Sequence, residues 1–446
     1  MTFDDIAAFA LRPCNVPEEA MDMAATLLID TLGVAAGAVD LHPSRIARDH
    51  AVRFMACGAP QDAATVLFDG RRASIPGASF ALATQIDNLD AHDGYNPTKG
   101  HIGCAVVPAL CAFAEHMPDL SARDALATLV MSYELSARAA ITLHATVSDY
   151  HTSGAWNALG VAALGCRLRG MDAEQLRHAL GIAEYHGPRS QMMREIANPT
   201  MLHDGSGMGA LVGCMSVLLA ADGFEGAPAI TIEAPEAAPH WADLADNWTI
   251  TQNYIKPYPI CRWAHAALDA LGALVEAHDL AAEDVAQLDV CTFEQAAALF
   301  SGMPGTTSQA QYSLGFALAV RLVHGRVGPE HVAGAGLRDG AVAAVLPRIT
   351  ITEDARHSSR FPLGRWSDVT LTLRDGRVLK SGDVHARGGP ESPMALSEVA
   401  RKFHGMSGAL PQSRKSAIWD MRARLMQPGT RFGALLALLH APVDQA

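Results

Sequence analysis

The chain has 446 residues and a formal net charge of −13. That length exceeds one ordinary hydrophobic core and predicts two or three domains. The acidic balance excludes nucleic acid and anionic membrane as main partners, since both demand a basic face; a small anionic ligand stays open, because a few cations focused in one cleft suffice.

In chain order, the start, MTFDDIAAFALRP, is acidic where a secretory leader would be basic. From about 17 to 225 the text is rich in alanine and leucine with helical periodicity, and Ser121 and Asp172 are placed as N-caps of two of the helices. The most apolar stretch, 205–224, is broken by glycine and bracketed by Asp204 and Asp222, so it reads as a buried helix rather than a membrane span. Between about 255 and 395 the pattern turns to alternation in AQLDVCTF, RITITED and DVTLTLRDGRVLKSGDV, with Asp375-Gly376 as a hairpin turn. Helical text returns after the loop HARGGPESP (385–393). The expected division is 1–254 helical, 255–394 a smaller α+β domain, and 395–446 a helical return that packs on the first part. Eight cysteines are scattered without a CxxC pair, which predicts reduced thiols rather than a zinc or iron–sulfur site. Together these features predict a cytoplasmic protein.

Chemistry concentrates in two polar segments. DNLDAHDGYNPTKGHIGC (87–104) offers Asp90, His92, Asp93, Tyr95, Lys99 and His101 among helix-breaking glycines. The apolar run that follows predicts a helix whose first amides, around His101 to Ala105, are free to bind an anion. NYIKPYPICRWAHAALDAL (253–271) is stiffened by two prolines and predicts a helix from about Cys261, with Arg262, His265 and Asp269 on one face. The chain has only five lysines, and Lys99 and Lys256 fall in these two segments. A compact, tunable charge is the reason to prefer lysine there. Two more histidines sit at loop-to-helix junctions: Tyr150 and His151 precede Thr152 and Ser153, which are expected to cap the next helix, and His203 precedes Asp204 and a glycine-rich start. Asp90, His92 and His101 also have the chemistry to ligate an ion.

These segments carry a resemblance. NYIKPYPICRWAHAALDA resembles the KPYPxCRxxHxxxDA segment of the MmgE/PrpD family, which includes 2-methylcitrate dehydratases, cis-aconitate decarboxylases and iminodisuccinate epimerase. HIGCAVVPALCAFAE, LRGMDAEQLRHALGIA, AQYSLGFALAVRLVHGRV, ARGGPESPMALSEVARKF and LLIDTLGVAAGA are similar to further family segments, so the likeness spans nearly the whole chain. It implies a mainly α fold: a large all-helical domain formed by both chain ends, an inserted smaller α+β domain, and a homodimer. It also implies a small polycarboxylate substrate held between the domains, with no metal or organic cofactor. By position His101, His151 and His265 resemble family active-site histidines, and Lys256, Tyr258 and Arg262 lie in the matching segment.

The chain departs from the family pattern at specific places. Asn88 and His92 stand where an aspartate and a threonine are usual, Thr200 stands where the decarboxylases use a lysine, and Phe316 replaces a tyrosine; His203 is retained. The expectation is a lyase in which His101 and His151 are the acid/base groups, Lys99 and Arg262 bind carboxylate and His265 stabilises an enolate. Lys99, Asp93 or His92 would replace the missing charge and base, and Asn88, Asp90, Tyr150, Thr200, His203, Lys256 and Tyr258 would complete the binding surface. An epimerase using the same enolate is the alternative, and a non-catalytic binding protein a third reading.

Overall fold

The computed structural model describes residues 1–443. Helices dominate the described chain, with a hairpin and one five-stranded sheet besides. The helix starts follow local chemistry: the Ser121 hydroxyl accepts from the Asp124 amide at the head of Ala122–Thr146, and Asp172 and Gln175 form a reciprocal capping box at the head of Ala173–His186. Helix Gly103–Ala114 is buried on every side, as its uniformly apolar text requires. Helices Ala122–Thr146, Gly154–Leu168 and Ser206–Ala221 surround it. Gly160 permits this: a Cβ there would stand 1.9 Å from Ser136 Oγ, so only glycine lets those two helices approach so closely.

The first part is not all-helical. Strands β1 (Ala63–Thr65) and β2 (Arg72–Ser74) form a small antiparallel hairpin over its edge. Three-residue strands fall below the length at which period-two alternation can be read from sequence.

The second part is built on strands β3 (Val285–Thr292), β4 (Ile349–Glu353), β5 (Trp366–Leu373), β6 (Val378–Lys380) and β7 (Val384–His385), in the order β4-β3-β5-β6, with β7 also on β5. β3 and β4 are parallel and the other pairs antiparallel. On β5 Ser367, Val369, Leu371 and Leu373 are buried and their neighbours half-exposed, the alternation of a sheet with one covered face. Helices His265–His278 and Leu314–His324 pack in the same core.

Two hydrophobic cores result. The larger runs from Ile6 to Ile255 and takes in Val399, Phe403, Ile418, Leu425 and Leu439, so the last helices close onto the first part. The smaller runs from Ile260 to Leu373, yet Met192 and Ile196 of the first part also insert into it. A buried ion pair pins the return: Lys402 Nζ donates to Asp30 on helix Glu18–Gly37 and to the Ala91 carbonyl. That same helix is long and apolar enough to cross a membrane, but 83% of its apolar window is buried within the protein. All eight cysteines are free, five of them buried.

Candidate active site

Between the two cores lies a pocket of about 340 Å3 of atom-free space, bordered by Lys99, His101, Asp204, Tyr254, Arg262 and Arg365, with Asp90, Tyr150, Met192 and Tyr312 among its other walls. Two larger cavities, of about 810 and 950 Å3, open nearby. The first is lined mainly by apolar residues and the second carries Arg194, Glu195 and His203, whereas the smaller pocket gathers Lys99, Arg262 and Arg365 beside His101, and that concentration of cations singles it out as the candidate site.

The loop from Asn88 to Ile102 is folded so that its charges face inward. Gly94 and Tyr254 exchange backbone hydrogen bonds of 3.1 and 2.8 Å, which fasten the loop to the connection between the cores. A 3-10 turn at Asn96–Thr98 ends on Lys99 in the left-handed region (φ 56°). Asp90 (φ 54°) and His203 (φ 48°) share that backbone region, so three of the six described non-glycine residues with positive φ lie at or beside this pocket. Gly94 leaves room for the His101 ring, since a Cβ there would meet Tyr254 Oη at 2.3 Å and His101 Nδ1 at 2.8 Å. Gly94→Ala should therefore lower turnover about a hundred-fold, the cost of an ångström-scale misplacement, with a smaller effect on folding. Steady-state kinetics beside a thermal melt will check it.

His101 is held at several points. Its Nδ1 lies 2.7 Å from the Asp93 carbonyl, and a carbonyl only accepts, so the proton sits on Nδ1 and the lone pair on Nε2. Nε2 is 3.8 Å from Asp204 Oδ2. The other Asp204 oxygen accepts from the Ser153 hydroxyl (2.7 Å) and amide (3.2 Å), while Ser153 Oγ accepts from the His101 amide (3.0 Å). Ser153 thus braces the His101–Asp204 pair instead of capping its own helix as the sequence suggested. Burial pushes the His101 pKa down to about 4 against the opposing pull of Asp204, so the ring is a neutral base at ordinary pH.

Three cations converge opposite. Arg262 donates to the Ala386 and Arg387 carbonyls and lies over the Tyr254 ring at 4.2 Å. Arg365 donates to the Pro362 and Gly364 carbonyls. Lys99 Nζ stands 5.3 Å from the centre of the Tyr150 ring, whose hydroxyl donates to the Lys99 carbonyl. None of the three forms an ion pair among the described residues. Burial lowers the pKa of all three, that of Arg262 to about 10, and Arg365 depresses the other two further.

The structure redistributes several residues expected at the site. Lys256 is fully buried and paired with Asp90, which it neutralises. Even so, burial holds the Asp90 pKa up at about 6. Asp93 faces away from the pocket. Its carboxylate accepts from the Tyr133 hydroxyl (3.1 Å) and stands beside Gly103, so it occupies the helix N-terminus expected to bind a ligand anion. His92 lies behind His101, edge-to-face at 4.4 Å. His265 donates from Nε2 to the Ile260 carbonyl (3.0 Å) and packs on Tyr258, whose hydroxyl donates to Asp269. These two support the Arg262 segment from behind rather than lining the pocket. The helix expected from Cys261 begins at His265 after a 3-10 turn, which takes Arg262 off the shared face.

His151 also lies outside the pocket; its amide donates to the His144 ring and its backbone bridges to Gln191. Asn88 binds the Thr84 and Met201 carbonyls. Thr200 donates to Glu195 (2.8 Å) and lines the 950 Å3 cavity, so Lys99 does not take its place in space. His203 lines that cavity too and tilts against Tyr312 at 5.3 Å, which puts it between cavity and pocket. Sequence reasoning missed Arg365, Tyr254 and Tyr312; Arg365 sits in FPLGRW, a stretch without any polar cluster to draw notice.

A mainly helical protein with two cores and a charged pocket between them offers in that pocket a neutral histidine and unpaired cations, groups able to do acid/base chemistry beside an anion. Family models agree: the MmgE/PrpD N-terminal domain spans residues 5–248 and the MmgE/PrpD C-terminal domain residues 258–427. The chain belongs to the MmgE/PrpD family, which supports an enzyme of dehydratase or related type. A comparison with curated proteins returned no match.

Proposed function

We propose that the protein is a cofactor-independent lyase that removes a group from a small di- or tricarboxylate through an enolate-like intermediate. The observation that carries this reading is the gathering of Lys99, Arg262 and Arg365, without ion-pair partners, in one buried pocket of a chain whose net charge is −13. Three cations at close quarters repel one another, and a multiply charged anion relieves that repulsion.

In this mechanism the cations seat the carboxylates and absorb the charge that develops on the enolate. His101 Nε2 takes the proton next to a carboxylate, and Asp204 steadies the imidazolium that forms. A base set in this way favours dehydration over decarboxylation, which needs none. Tyr254 and Tyr312 border the pocket with hydroxyls that burial keeps protonated, so each has a proton to give to a departing group. Epimerisation would instead require a second deprotonated base across the substrate. As in the family resemblance, the working form is a homodimer; exposed Ile46, Leu202 and Met208 around the 810 Å3 apolar groove are the kind of surface a second copy covers, and light scattering will test it.

Proton NMR with 2-methylcitrate, citrate, cis-aconitate, malate-like acids and iminodisuccinate tests the reaction type. New vinyl signals establish a lyase and identify the leaving group. Inversion without a new olefin would replace this reading with epimerisation, and silence across the panel would overturn both. Arg365→Gln should raise KM about ten- to a hundred-fold, the worth of one charged hydrogen bond, with a smaller change in kcat.

A further inference from the structure

His92 presents a problem that the proposed chemistry leaves unsolved. The side chain is fully buried, yet neither ring nitrogen has a hydrogen-bond partner among the described residues. Two orphaned nitrogens in a dry interior are costly, and such groups commonly mark the place of an ion or an ordered water. The neighbours of His92 favour an ion. Asp90 and His101 each bring a ligand atom within 4.8 Å of the others and of His92, and all three residues are buried. Asp90 spends one oxygen on Lys256 and leaves Oδ2 without a partner. His101 keeps its free lone pair on Nε2. Behind the group, Asp87 Oδ1 stands 3.7 Å from His92 Nε2, so a carboxylate is at hand to orient the ring, as acidic partners orient metal-bound histidines.

We propose that Asp90, His92 and His101 form a binding site for a borderline divalent cation of the zinc type, and that occupancy silences the enzyme by taking the His101 lone pair. One carboxylate and two imidazoles are an ordinary donor set for such an ion, and small inward shifts bring them to bonding distances of about 2.0–2.2 Å. The path of entry is the substrate pocket, which Asp90 and His101 both line. The ion is an inhibitor here, not a cofactor, because it competes with the substrate proton for the same electron pair. That inhibitory half rests on the role proposed for His101; the binding half does not.

The test is calorimetric titration of Zn2+ into the full chain, paired with the visible spectrum of the Co2+ form. One ion per chain is expected, with affinity at least about ten-fold weaker in His92→Gln. Asp90→Asn should give the same loss should His92→Gln fold poorly, and Cys104→Ser should bind as the wild type does. Turnover should fall in step with occupancy and return on chelation. Equal binding by wild type and both ligand variants would overturn the site. A thiolate charge-transfer band, or weakened binding in Cys104→Ser, would also overturn it by moving the ion to the neighbouring group of Asp87, His92 and Cys104. Binding with undiminished turnover would overturn the inhibitory half. Should no carboxylate be turned over at all, the binding measurements still decide the site.

Discussion

His101→Asn is expected to lower kcat by about a hundred- to ten-thousand-fold, the usual contribution of a positioned general base. Asparagine can still donate to the Asp93 carbonyl, so the loop should keep its fold while the proton acceptor is gone. The pH dependence follows from the direction of the shift. Burial lowers the His101 pKa to about 4, so the ring is neutral and competent as a base above that value and loses its lone pair below it. The wild-type acid limb of kcat/KM should therefore lie near pH 4, well under the ordinary histidine value, and the residual activity of His101→Asn should lack it. Steady-state rates across the acid range will show whether it does.

Lys402→Met should destabilise the fold by about 3–5 kcal/mol, the cost of leaving a buried charge without its partner. Asp30 and Lys402 are both nearly inaccessible, and burial shifts each pKa toward its neutral form, Asp30 upward and Lys402 downward. Desolvation therefore opposes ionisation of each partner, and removing either one strands the other. The pair joins the returning helix Leu396–Met406 to helix Glu18–Gly37, and Lys402 also holds the Ala91 carbonyl between Asp90 and His92. Its loss should loosen the first core and the pocket loop together. Urea denaturation will measure it, and the double variant Asp30→Leu/Lys402→Met should recover most of the lost stability, since an apolar pair leaves no stranded charge.

What could be read from the sequence was chiefly local. The caps at Ser121 and Asp172, the Asp375-Gly376 turn and the change from helical period to alternation are all set by neighbouring residues, and the structure has them. Lys99, His101 and Arg262 were legible because polar groups interrupt apolar text. The buried ion pairs around them were not. Asp90 meets Lys256 across 166 residues, and Lys402 meets Asp30 across 372. No local pattern reports such a pairing. The same gap explains the displaced residues. His151 and His265 look like His101 in sequence, each at a loop-to-helix junction, but a junction says nothing about which way the ring faces. Lys99 and Thr200 are another case: compensation of one by the other was plausible on charge alone, and the structure sets them in different cavities.

The central claim is that His101, facing three unpaired cations, removes a proton next to a carboxylate. It is tested most directly by following deuterium entry from D2O at that carbon by proton NMR, for wild type and His101→Asn, across the same panel of acids. Exchange or elimination by the wild type, reduced at least about a hundred-fold in His101→Asn, is the predicted result. Exchange that continues undiminished without the imidazole would contradict it.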